Sequence, residues 1–326
     1  MRQSLRILLN GVVDYAGLFP PAKLELEPAL RAYAAHRRTA EAWMLGHFVL
    51  PAARLPEVTP HYRELFSAVG SLPLVLIAPG GAERGEWLDA FRRDLQMVAS
   101  LRAAPGHHFT ANAFEARLPA DVLAQGEAGA VRELLDEAKA VADDSGMAPF
   151  QMAVEATVPE GFADVATAAI AGLAEHRAGG DWATWQPPSF KLRCGGADAA
   201  AFPPADQVAL ALDACAADAV PIKFTAGLHH PLRRWDEPLG AWMHGFLNVL
   251  VAACLAHGAR ASRRTLVDAL LREEHPAFEF RDDQLRVGET VVSADGLAVL
   301  RGERILGFGS CSFDEPRGEL RGLGLL

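Results

Sequence analysis

Cysteine is scarce in this chain. The 326 residues hold four, Cys194, Cys215, Cys254 and Cys311, far apart and without a C-x-x-C pair. That spacing argues for reduced thiols in a cytoplasmic protein, and against a disulfide frame or a structural zinc. Long apolar runs are missing too. None reaches the roughly 18 to 20 residues that span a bilayer, so no membrane partner is expected. The first residues, Met1 to Leu9, carry two arginines and a short apolar stretch but no cleavage-site pattern, and are expected to lead into a first strand. Positive charge is also in deficit. With 31 Lys and Arg against 41 Asp and Glu, the net charge is −10 and the pI is near 5.6. This argues against a general nucleic-acid or anionic-membrane surface, where affinity depends on clustered Lys and Arg.

What the chain does have is apolar content, 50% by residue type, enough for a sizeable core without staples. Short apolar runs alternate with amphipathic stretches. Strands are expected at residues 8–15, 42–50, 73–78, 108–114, 150–157, 189–193 and 221–227, with helices near 24–38, after Pro60 within the mixed stretch 54–69, and near 86–102, 128–142, 161–177 and 205–216. Pro79-Gly80-Gly81 stops the third strand, and Gly179-Gly180 ends the helix before the sixth. Repeated strand and helix units of this spacing imply parallel pairing through right-handed crossovers.

After Pro231 the rhythm breaks. A long apolar helix is expected over Leu239 to Ala256, a second over Ser262 to Glu273, and short strand-like pieces between Phe278 and Asp295. Residues 305–313 then supply the closing strand. The expected fold is α/β: residues 1–326 form a single (β/α)8 TIM-type barrel, with 231–303 as a helical and β insertion between strands 7 and 8. An open doubly wound sheet with a C-terminal β extension is the alternative. The apolar helix suits a subunit contact in a homo-oligomer or core burial equally.

Two lysines stand out. Lys191 lies within Ser189-Phe190-Lys191-Leu192-Arg193 and Lys223 within Pro221-Ile222-Lys223-Phe224-Thr225. Alternation puts Lys191 on one face with Ser189 and Arg193, and Lys223 with Thr225, while Phe190, Leu192, Ile222 and Phe224 take the other. Polar inner rows and apolar outer rows suit a barrel with a wet mouth. Either lysine alone is more often a solvated rim residue or half of a carboxylate pair than a nucleophile. On adjacent strands, amines about 6 Å apart would repel by about 3 kcal/mol, leaving one of them partly neutral and nucleophilic.

These two strands, with the final Gly307-Phe308-Gly309-Ser310-Cys311-Ser312 run, resemble the deoxyribose-phosphate aldolase type of class I aldolase. The resemblance covers about the last 140 residues. It implies a (β/α)8 barrel with Lys191 as Schiff-base lysine, Lys223 as the amine that lowers its pKa, and Gly307, Gly309, Ser310 and Ser312 as phosphate-binding positions. Three features depart from that pattern. Leu192-Arg193-Cys194-Gly195-Gly196 replaces the family's small Thr-Ser-Thr-Gly run. No early-strand carboxylate shows in residues 73–78. The interval before the last strand is about fifty residues longer.

Further groups complete the candidate mouth. Glu155 shares a face with Gln151, Ala153 and Thr157, and reads either as a proton shuttle or as a salt-bridge partner of Lys191. Asp14, at the end of the first strand, has the same two readings. Arg193 can clamp a carboxylate or phosphate, or pair with a barrel carboxylate. The expected substrate is a small carbonyl compound or anion: an aldehyde, a keto acid or a sugar phosphate, acted on by a carbon-carbon lyase without cofactor or metal. One alternative is a metal-dependent isomerase or hydrolase using His229, His230, His244, Glu155 and Asp14, although no H-x-H or H-E-x-x-H spacing supports it. Another is a non-catalytic anion-binding barrel using Arg193 and the Gly/Ser strand. Cys194 and Cys311 border glycines or small residues at strand ends, where packing is a commoner role than Cys-His catalysis.

Overall fold

The computed structural model describes residues 1–66, 70–78, 80–104, 109–145, 151–156, 161–180, 186–274 and 278–326. In chain order the elements are α1 (Gln3–Leu9), β1 (Val13–Tyr15), α2 (Leu26–His36), β2 (Leu45–Pro51), α3 (Leu55–Phe66), β3 (Leu72–Ile77), α4 (Arg84–Ala103), β4 (Phe109–Arg117), α5 (Ala120–Gln125), α6 (Ala128–Asp144), β5 (Gln151–Glu155) and α7 (Phe162–Ala178). They continue with β6 (Ser189–Arg193), α8 (Ala205–Ala217), β7 (Ile222–Thr225), β8 (Arg234–Asp236), β9 (Ala241–Met243), α9 (Phe246–Ala259), α10 (Arg263–Leu270), β10 (Glu279–Phe280), β11 (Gln284–Val287), β12 (Thr290–Ser293), α11 (Ala294–Glu303), β13 (Ile305–Ser310) and α12 (Asp314–Gly322). β1 to β7 and β13 close into a barrel in the order β1-β13-β7-β6-β5-β4-β3-β2. The (β/α)8 TIM-type barrel is the fold, and the open doubly wound sheet is not.

The chain divides into two compact units. The first comprises Met1–Lys23, Thr39–Gly46 and Leu192–Leu326. Here β13 lies parallel between β1 and β7, with Asp14 beside Gly309 and Lys223 beside Gly307 in register. Gly307 is irreplaceable on two counts. Its φ of +114° is a conformation that side chains resist, and a Cβ would fall 2.5 Å from the Val12 carbonyl oxygen. α9 is buried continuously from Phe246 to Ala256, packs on α8, α10 and β13, and stacks Phe246 on Phe308 with centroids 5.0 Å apart. This accounts for its lack of a polar stripe. The 231–303 segment also contains the β8–β9 hairpin, a three-stranded antiparallel sheet of β10, β11 and β12, and α11, which packs on β13 and α1.

The second unit comprises Leu24–Arg38 and His47–Lys191. β2 residues from Phe48 onward, then β3, β4, β5 and the start of β6, pair in parallel, with Glu155 directly beside Lys191. Two aromatic clusters fill the layer under its helices: Tyr33, Phe48 and Phe66, and Trp87, Phe91 and Phe114. α6 and α7 approach closely because Gly172 has no side chain, and a Cβ there would meet the Ala128 carbonyl at 2.5 Å.

Several boundaries differ from expectation. The stretch expected to lead into a strand is helix α1, whose Leu5, Leu8 and Leu9 are buried at helical spacing. Gly11, at φ +57°, turns the chain before the three-residue β1. The apolar stretch 239–256 is not one helix. Gly240 turns the β8–β9 hairpin, β9 uses Ala241 to Met243, and α9 starts only after Gly245, since a continuous apolar run carries no period that separates strand from helix. α3 begins before Pro60 rather than after it. α5, α11 and α12 were not expected, and β4 runs three residues past its expected end at Phe114. Pro79, His108, Phe150 and Thr157, which figured in the expected strands and turns, lie outside the described residues, as does the end of the 54–69 stretch.

Candidate functional site

In the second unit the polar cluster is built by three consecutive strands. Alternation along β4, β5 and β6 turns Glu115, Glu155 and Lys191 away from the helical layer, while Phe114, Val154 and Phe190 take the opposite face. All three charged residues are buried, at 4%, 5% and 8% exposure. The Lys191 Nζ lies 2.7 Å from Glu115 Oε2 and 3.2 Å from Glu155 Oε2. Arg117, two residues beyond Glu115 and exposed, comes within 3.8 Å of Glu155 Oε1. Two carboxylates thus face one buried amine, a placement whose desolvation cost is offset only by such close pairing.

Glu115 is the functional candidate that sequence reasoning missed. Ending the fourth strand at Phe114 left it in an assumed loop. Extending the alternation by one residue would have placed it on the face of Ala111 and Ala113. A compositional signal was also present: the chain has four lysines, Lys23, Lys139, Lys191 and Lys223, so two of the four sit on barrel strands.

In the first unit Lys223 Nζ donates to Asp14 Oδ2 at 2.5 Å, both side chains being buried. The glycine at 46 makes this possible, because a Cβ there would collide with Asp14 Oδ1. Thr225 ends β7 beside Gly309, whose absent Cβ would lie 3.3 Å from the Thr225 hydroxyl. Arg193 ends β6 and reaches the Gly195 carbonyl at 3.4 Å through Nη2. Each lysine therefore has its own acidic neighbour. The uncompensated pair of amines expected from the sequence is replaced by two carboxylate-bound amines, because the strands next to each lysine supply acids that alternation turns inward.

The other candidates serve the loops after β7 and β13. His229 Nδ1 faces Glu315 Oε2 at 3.2 Å, and His230 Nδ1 faces Glu319 Oε1 at 2.6 Å. Ser310 is the last residue of β13. Its hydroxyl accepts from the Ser312 N–H at 3.4 Å, and the Ser312 hydroxyl accepts from the Glu315 N–H at 3.1 Å. His244, expected inside a helix over 239–256, lies between β9 and α9, donates from Nε2 to the Pro203 carbonyl at 2.7 Å, and is held below the usual imidazole range by burial. Its Nδ1 has no hydrogen-bond partner among the described residues.

The thiols are poor nucleophiles. Burial pushes Cys194 and Cys254 up to about 12 and raises Cys311 as well, although the Cys311 sulfur sits 3.8 Å from His229 Nδ1. Beside it Tyr15 is raised to about 12, mainly by burial. Among the described residues, no group of three or more His, Cys, Asp or Glu side chains is placed to hold a metal ion. In comparisons with known proteins, no family model matches the chain and no curated protein matches it.

Proposed function

We propose that this barrel is a carbonyl-directed enzyme, a carbon-carbon lyase of the class I aldolase kind, with Lys191 as its Schiff-base nucleophile. The observation that carries the reading is the buried Lys191 amine held 2.7 Å from Glu115 and 3.2 Å from Glu155. An amine must lose a proton before it attacks a carbonyl, and the hydroxyl it creates must gain one before leaving as water. Two carboxylates in contact with one amine supply an acceptor for the first proton and a donor for the second.

The sequence of steps balances with these groups alone. The Lys191 lone pair adds to the carbonyl carbon, and the oxygen takes the proton from the carboxylic acid that received it from the lysine; a carboxylate then moves one proton from the nitrogen to the hydroxyl, which leaves as water as the nitrogen lone pair forms the iminium. A carboxylate then removes the proton of the substrate's β-hydroxyl, the carbon-carbon bond breaks, and its electron pair enters the iminium as an enamine. Protonation at carbon and addition of water return the amine and release the second carbonyl product.

Borohydride reduction in the presence of small aldehydes and keto acids, followed by peptide mass mapping, tests the proposal. The expected result is an adduct on Lys191 that disappears in Lys191→Met. Glu115→Gln is expected to slow adduct formation by about 10²-fold to 10⁴-fold, the usual contribution of a positioned acid-base group. A panel that labels neither Lys191 nor Lys223 would overturn the reading.

A further inference from the structure

We infer that the substrate is an α-keto acid, whose carboxylate is held by the Arg117 guanidinium while its carbonyl carbon meets the Lys191 amine. This rests on the Schiff-base reading above and names the substrate class of that site.

Strand register in the second unit fixes the arrangement. Arg117 lies directly beside Glu155, and Glu155 directly beside Lys191. Residues paired across parallel strands face the same side, so the three form one row across β4, β5 and β6. Two residues earlier on each strand the same face carries Glu115, Ala153 and Ser189. Ala153 has only a methyl group, which leaves the Lys191 side chain room to cross β5 and meet Glu115 Oε2 at 2.7 Å. The amine therefore ends against β4, two residues short of Arg117, a rise of about 6.6 Å along a strand. In an α-keto acid the carboxylate carbon is bonded to the carbonyl carbon. An imine nitrogen and a guanidinium sharing such a molecule are separated by three covalent bonds and one hydrogen bond, a comparable span.

Arg117 is also the cation of the row that is available. Lys191 touches both Glu115 and Glu155. The Arg117 Nη2, in contrast, lies 3.8 Å from Glu155 Oε1, beyond hydrogen-bond distance, on a side chain that is 57% exposed. Among the described residues its guanidinium donates no hydrogen bond, and an exposed pair this loose contributes little to stability. Its backbone is nevertheless pinned, because the buried Trp87 donates from Nε1 to the Arg117 carbonyl at 2.9 Å. A planar fork of donors at a fixed strand end suits two-point capture of a carboxylate. Lys191 and Arg117 balance Glu115 and Glu155, so the cluster sets no net charge against a monoanion. A simple aldehyde would leave the fork unused.

The test is reductive trapping with pyruvate against pyruvamide, its neutral near-isostere, scored by mass mapping of Lys191. Pyruvate is expected to label at least about tenfold faster at equal low concentration, the scale of a charge-assisted hydrogen-bonded pair. Arg117→Gln is expected to bring the ratio near one, and Arg117→Lys to restore part of it. Arg92→Gln, which removes the same charge from the exposed face of α4, is expected to keep the parent ratio. Equal labelling by the two compounds, a preference that survives in Arg117→Gln, or one lost equally in Arg92→Gln would overturn the inference while leaving the Schiff base standing. No adduct on Lys191 from either compound or from the aldehydes would remove the Schiff base, and this inference with it.

Discussion

At the scale of single residues, charge placed out of reach of water decides the chemistry and also sets pH sensitivity. Lys191 and Lys223 are tolerated inside the barrel because each has carboxylates within 2.5 to 3.2 Å. Asp94 on α4 is different. It is 7% exposed, its Oδ2 has no hydrogen-bond partner among the described residues, and burial raises its pKa from 3.8 to about 6 despite the adjacent Arg93. The folded chain therefore holds this proton more tightly than the unfolded chain does. Asp94's contribution is most favourable below the unfolded value and is lost as pH rises from 3.8 to about 6. At neutral pH the penalty is about 3 kcal/mol at most. Urea unfolding should find Asp94→Asn more stable than the parent at pH 7.5 and nearly equal to it at pH 4. An equal difference at both pH values would contradict this account.

At the scale of elements, close approach of backbones fixes what the side chains can do. The register of β13 against β1 and β7 sets Gly307 beside Lys223 and Gly309 beside Asp14, and that register holds only while Gly307 keeps φ +114° under the Val12 carbonyl. Gly307→Ala is expected to destabilise by at least about 2 kcal/mol, combining backbone strain with overpacking. The Asp14–Lys223 pair should suffer with it. Chemical denaturation reads the first effect, and the Lys223 amine resonance in a selectively labelled sample reads the second. A variant as stable as the parent would show that the strand can slip at no cost. The elements that sequence patterns located best are those whose period is unambiguous, such as the third strand, α4, α6 and α7. Those it misplaced have short or mixed periods, as where β9 and α9 merge into one apolar run, and α1 precedes a three-residue strand.

At the scale of the whole molecule, the net charge of −10 predicts passage through an immobilised heparin or duplex-DNA column without retention even at about 50 mM salt, where polyanion binding is strong for basic proteins. Retention there would reveal a basic surface that composition hides. Among the described residues no helix is long and apolar enough to cross a membrane. The sequence by itself determined the alternation of strand and helix, the inward faces of Glu155, Lys191 and Lys223, and the barrel these imply, because a period of two or of 3.6 is a local property of the chain. Only the tertiary structure decided which acid meets which amine. That Glu115 and Glu155 both reach Lys191, and that Asp14 reaches Lys223 past a missing side chain at Gly46, depends on strand register and close packing. Those are set by residues that lie far apart in the chain and have no counterpart in local pattern.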